Sequence, residues 1–124
     1  MVLLYIALAG AVGSVSRYLM GRGVQGALHL EFPVGTLAVN VLGCLLIGVF
    51  ARAFMNMQTD ATLRATLMVG FCGGFTTFSS FSYETYGLII GGEWGKAAAY
   101  VLLSVTVCLG ATVAGYAVAK AITA

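Results

Sequence analysis

Gly73-Gly74-Phe75-Thr76-Thr77-Phe78-Ser79-Ser80-Phe81-Ser82 interrupts a segment, 65–83, that is otherwise apolar and wholly free of charge. A charge-free run of that length is close to the ~20 residues that cross a bilayer, so the insert is expected at membrane depth. Backbone that leaves the helical hydrogen-bond pattern there has no water to turn to. It is tolerated only inside protein or along a wet cavity, so a functional site is the first reading of this stretch. Hydroxyls stand at Thr76, Thr77, Ser79, Ser80 and Ser82, and rings at Phe75, Phe78 and Phe81. The ring spacing of three puts all three roughly on one face of a helix.

Outward from the insert the chain keeps this character. Its 124 residues are 60% hydrophobic and 8% charged, against about a quarter charged in soluble domains. Further charge-free runs cover 1–16, 32–51 and 97–119. Four runs predict an all-α integral membrane protein, a single domain over 1–124 with four transmembrane helices, the third broken in mid-membrane. The first run lacks a basic leader, and Ala7-Leu8-Ala9 leaves too short an apolar stretch before it for a signal peptide, so a retained helix is expected. It is expected to end near Arg17 and Tyr18, with Arg17 either snorkelling to the interface or raising anion concentration at a pore mouth. The loops are short, so all chemistry is expected within the membrane.

Few polar side chains fall inside the runs. Thr36, Asn40 and Cys44 form a stripe at four-residue steps on the second helix, and Tyr100, Ser104, Cys108 and Thr112 form another on the last. A mid-span amide such as Asn40 is costly to desolvate; it either bonds helices together or marks a transport path. Cys44, Cys72 and Cys108 have no paired spacing and no nearby His or carboxylate cluster, and read as small buried hydrophobes rather than metal ligands. His29 and Glu31 lie in a solvated loop beside Pro33, Thr59 or Asp60 is placed to cap the third helix, and Trp94 is an interface anchor. Glu84 suits a pore entrance or an interfacial salt bridge to an arginine. Proton relays and covalent catalysis lack their parts, so no enzyme is expected. A neutral path rich in N–H and O–H donors suits a small anion, which ring edges can also face.

The basic residues are evenly divided. Arg52, Arg64 and Lys120 share one side of a four-span topology, and Arg17, Arg22 and Lys96 the other. The positive-inside rule then has no preference, which suggests a dual-topology, antiparallel homodimer.

The run from Gly70 to Ser82, with Gly35-Thr-Leu-Ala-Val-Asn-Val-Leu-Gly43 and Gly13-Ser-Val-Ser-Arg-Tyr18, closely resembles the Fluc/CrcB fluoride channels of bacteria over the whole chain. The resemblance implies passive, selective fluoride export across the bacterial inner membrane by a multi-pass homodimer with two antiparallel pores. Its partners are then fluoride, a second copy and the lipid bilayer, with no nucleic acid. By position, Phe78 and Phe81 become ring edges at fluoride sites and Asn40 the amide beside them. Thr36, Ser79, Ser82, Tyr100 and Ser104 become polar lining, with Arg17 and Glu84 near the aqueous ends. Gly73 and Thr76 become backbone-carbonyl ligands of a structural sodium ion at the dimer centre. Cys108 stands where the family tends to carry a hydroxyl, so Thr112 or another group takes that contact, or conduction is slower. The rival readings are a small proton-coupled multidrug-type exporter, which wants a carboxylate deep in the first helix, and a non-transporting subunit of a membrane complex.

Overall fold

The computed structural model describes residues 1–55, 58 and 60–124, which form helices joined by short turns. Helix α1 is Val2–Leu28, α2 is Val34–Met55 and α5 is Trp94–Ile122, and each is long and apolar enough to cross a membrane. Between α2 and α5 lie two shorter pieces. We call the helical stretch 61–75 α3: an α-turn at Ala61–Arg64, a wider π-type coil over Ala65–Cys72, and Gly73–Phe75. Helix α4 is Phe78–Ile90. The Asp60 side chain caps α3 by accepting from the Thr62 N–H at 2.9 Å; Thr59, the other candidate cap, lies outside the described residues.

Helix α1 runs ten residues beyond the expected end near Tyr18. No proline stops it, and Arg22 Nη1 donates to the Tyr18 hydroxyl one turn back at 2.8 Å, with the guanidinium 5.6 Å from that ring's centre. It ends where His29 turns into the left-handed region at φ 50°. Gln25 then gathers the connection, its Nε2 donating to the carbonyls of Leu30 and Phe32 while Oε1 accepts from the Gly35 N–H. Arg17 is consequently a mid-helix residue, half-buried, rather than a helix-end one.

The contacts fix the directions of the helices. Gly21 meets Gly35 and Val39, so α1 and α2 form an antiparallel hairpin. Helix α3 runs parallel to α1: Gly70 sits against Ile6 and Ala9, Gly13 against Phe71 and Phe75, and Ser14 Oγ donates to the Gly74 carbonyl at 3.4 Å. Helix α5 runs parallel to α2, from the Glu31–Lys96 ion pair at one end, through Gly48 on Thr112, to Tyr116 on Met55 at the other. Helix α4 runs antiparallel to α2, with Asn40 on Thr77 and Thr36 on Glu84.

These close approaches depend on missing side chains. A Cβ on Gly13 would overlap the Phe71 carbonyl and the Phe75 nitrogen, and one on Gly48 would overlap the Thr112 carbonyl. Small residues at such crossings are how apolar helices gain packing contacts where lipid removes the hydrophobic driving force between them. The fully buried centre is small, with Val39, Cys72 and Tyr100 essentially inaccessible, while leucines, valines and aromatic residues cover the outside.

Candidate functional site

Two extended residues separate α3 from α4. Thr76 has φ −81°, ψ 155° and Thr77 has φ −147°, ψ 116°. Thr76 stays tied to α3, its N–H and its hydroxyl both donating to the Cys72 carbonyl at 3.0 and 2.9 Å. Thr77 starts α4: its Oγ1 accepts from the Ser80 N–H at 3.1 Å, the usual service of an N-terminal cap.

The main chain of Thr77 is buried, and a buried, unpaired backbone group costs about 1–3 kcal/mol. One side chain supplies both partners. The Thr77 N–H donates to Asn40 Oδ1 at 2.7 Å, and Asn40 Nδ2 donates to the Thr77 carbonyl at 3.0 Å. The amide therefore splints the gap in the helix. It also retains a second N–H, because a primary amide carries two donors.

The rings pair differently from the expected single face. Phe75, at the end of α3, stacks on Phe71 at 5.7 Å, whereas Phe78 and Phe81 open α4 and pair at 5.2 Å. The extended Thr76–Thr77 backbone resets the helical phase, so a step of three across it no longer means a shared face. Phe81 meets Tyr100 edge to face at 5.1 Å and 83°, a favoured aromatic geometry.

Helices α2 and α5 bring their polar stripes together in register. Thr36 and Tyr100 both donate to Glu84, to Oε1 and Oε2 respectively, each at 2.6 Å. One turn on, Asn40 and Ser104 line a common cavity, followed by Cys44 and Cys108, and then by Gly48 against Thr112. The cavity has a volume of about 410 Å³ and is also bordered by Thr77, Phe78 and Phe81. No Asp, Glu, Lys, Arg or His is among its described lining residues. Ser104 Oγ is buried there without a hydrogen-bond partner among the described residues. A buried hydroxyl in that state needs an explanation, and a ligand supplies one.

Of the residues singled out in the sequence, the structure gathers Asn40, Phe78, Phe81 and Ser104 at the cavity, with Thr36, Tyr100 and Glu84 at the next turn. Glu84 has its oxygens engaged by two hydroxyls rather than by an arginine. Ser79 and Ser82 are exposed on α4, and Arg17 on α1 does not line the cavity. Thr112 Oγ1 donates to the Cys108 carbonyl of its own helix at 3.2 Å, while Cys108 itself lines the cavity. Sequence reasoning overlooked Thr77. The available signal was a threonine placed immediately before the run that resumes the helix, the position a cap occupies.

Gly73 and Thr76 border the same cavity, and Gly73 is exposed. In an unbroken helix the Thr77 N–H would bond the Gly73 carbonyl, but Asn40 holds that N–H. A helix ending in free carbonyls carries partial negative charge. Carbonyl oxygens are ligands that suit hard rather than soft cations.

The sequence model of the family described as CrcB-like protein, Camphor Resistance (CrcB), matches residues 4–116. The fluoride-specific ion channel FluC of Geobacter sulfurreducens is 49% identical over 119 residues, covering 95% of this chain and 96% of that protein. The FluC of Nitrobacter winogradskyi is 47% identical over 121 residues, 97% of this chain and 96% of that one. The FluC of Thermus thermophilus is 48% identical over 113 residues, covering 91% and 89%.

Proposed function

Because the chain belongs to the CrcB-like family, we propose that it is a fluoride-specific channel, not an enzyme, that lets fluoride leave the cell passively across the bacterial inner membrane. The observation that carries this reading is a cavity whose polar groups are all neutral and mostly donors. Asn40 offers its spare N–H, Ser104 its unpartnered hydroxyl, and Phe78 and Phe81 their positive ring edges. Such groups replace part of a small anion's hydration shell, while the lack of a fixed cation lets the ion go again. Thr36, Tyr100 and Glu84 extend the polar path by a turn toward one end of α2.

The helix directions support a four-crossing membrane arrangement. Parallel α2 and α5 require the chain between them to cross once more, and α3 and α4 both run opposite to α2. Together they form a third crossing, broken at Thr76–Thr77, which makes four crossings in all. Phe78 borders the cavity yet is 79% exposed, so one wall is missing in the single chain. A second, inverted copy supplies it, consistent with the even division of basic residues between the two sides. The dimer would then have two antiparallel pores. Gly73 and Thr76 carbonyls from each copy would hold a sodium ion between them, binding the two breaks to each other.

The test is efflux from liposomes carrying the purified protein, followed with fluoride-selective and chloride-selective electrodes under a potassium ionophore. Rapid loss of fluoride with chloride retained is expected. Retention of both ions by folded, membrane-inserted protein would overturn the reading.

A further inference from the structure

The stripes of α2 and α5 place two thiols at the same level of the cavity. Cys44 and Cys108 both border it, and neither is in a disulfide. The next turn holds them in register: Gly48 packs directly on the Thr112 backbone, and Gly115 on that of Leu45. With backbone against backbone on that side, neither helix can rotate its cysteine away without opening the contact. Cys72 borders the cavity from α3 but is buried, with 1% exposure. Among the described residues no three ligating side chains converge, so a site here has at most two sulfurs and no charged ligand.

We propose that Cys44 and Cys108 form a two-sulfur site for a soft d10 metal ion such as Hg(II), and that occupation of this site plugs the cavity. Thiolate sulfur selects soft ions over hard ones, and Hg(II) accepts two ligands in a line. Mercuric chloride is neutral and can reach a site at membrane depth through lipid. Two S–H bonds and two Hg–Cl bonds break, two S–Hg bonds form, and two protons and two chlorides leave; no atom changes oxidation state. The bis-thiolate product is uncharged, so no ionic charge is buried in a place that offers nothing to compensate it. That the plug stops ion flow rests on the channel reading above; that the metal bridges these two residues does not.

The experiment is intact-mass measurement of the purified protein after equimolar mercuric chloride, with fluoride efflux read in parallel. A bridged adduct, one mercury gained and two hydrogens lost, is expected in the native protein and in Cys72→Ser. Cys44→Ser and Cys108→Ser should take up mercury only as single-thiol adducts that keep one chloride and are removed by mild thiol. Peptide mapping of the unmodified sequence should find Cys44 and Cys108 joined through mercury, a readout that does not depend on the variants folding. A bridge through Cys72, or only single-thiol adducts in the native protein, would overturn the site. Efflux that stops with the bridge and returns with dithiothreitol supports the plug. Undiminished fluoride efflux with the bridge formed would refute the plug but leave the site standing, and absence of efflux before mercury is added would count against the channel reading alone.

Discussion

Asn40 and Thr77 exchange two hydrogen bonds, N–H to Oδ1 at 2.7 Å and Nδ2 to carbonyl at 3.0 Å. A side chain on α2 thereby completes the main chain of another helix at the point where that helix is broken. The same pair leaves the Gly73 carbonyl without its helical donor and leaves Asn40 one spare N–H at the cavity. Splint, candidate cation ligand and candidate anion donor are thus coupled through one amide.

Asn40→Ala should be doubly damaging. It leaves the buried N–H and carbonyl of Thr77 unpaired, at about 2 kcal/mol each, and it removes the spare donor. Thermal unfolding in detergent should shift down and fluoride efflux should be lost. Asn40→Asp keeps an acceptor for the Thr77 N–H but has at most the single O–H of its neutral form to donate, where the amide has two N–H groups, so it should recover part of the stability without the flux. Efflux at the native rate from either variant would contradict the assigned role.

Phe81→Ile removes a ring edge and the perpendicular contact with Tyr100 while keeping an apolar side chain. Aromatic pairs of this geometry contribute about 1 kcal/mol beyond area burial, so the fold should survive with a modest loss. Fluoride efflux should fall severely while the oligomeric state, followed by size-exclusion chromatography, stays unchanged. Unchanged flux would remove the ring edge from the mechanism.

The Thr36–Glu84–Tyr100 cluster should behave as a unit. Tyr100→Phe keeps the ring against Phe81 and deletes one donor, and Thr36→Val deletes the other. Either alone leaves Glu84 one partner, whereas both together leave it none. The double variant should lose more stability than the two singles added, with a coupling of about 1 kcal/mol, in the range for neighbours in one network. Strict additivity in thermal unfolding would mean the two hydroxyls act independently.

Two glycine replacements should have opposite signs. Gly48→Ala drives a Cβ into the Thr112 backbone, which cannot swing aside as a side chain could; overpacking of this kind costs about 1–3 kcal/mol. Gly23→Ala meets nothing within 4 Å on the exposed course of α1, and there alanine gains up to about 1 kcal/mol of helix propensity. Similar unfolding midpoints for the two variants would argue against the tight α2–α5 crossing.

Much of this was legible in order along the chain. Charge-free runs at 1–16, 32–51 and 97–119 found the three long apolar helices, and four-residue steps found both polar stripes, because a helix repeats nearly every fourth residue whatever surrounds it. The two extended residues Thr76 and Thr77 fall within the insert Gly73 to Ser82. The charge at Arg17 points to a helix end near Tyr18, whereas α1 continues to Leu28. Charge limits burial in lipid, but it does not stop helical backbone from continuing, and Arg22 bonded to Tyr18 continues it.

By itself the sequence determined that the chain is built of apolar helices and which polar side chains share a face, since both depend on neighbours a few positions away. Only the tertiary structure decided that Asn40 splints Thr77, that Glu84 answers to two hydroxyls instead of an arginine, that Phe75 leaves the company of Phe78 and Phe81, and that Cys44 and Cys108 border one cavity. Each depends on the direction and register in which one helix lies against another. That register is set by where backbones can touch, at Gly13 and Gly48, and no periodicity within a single segment contains it.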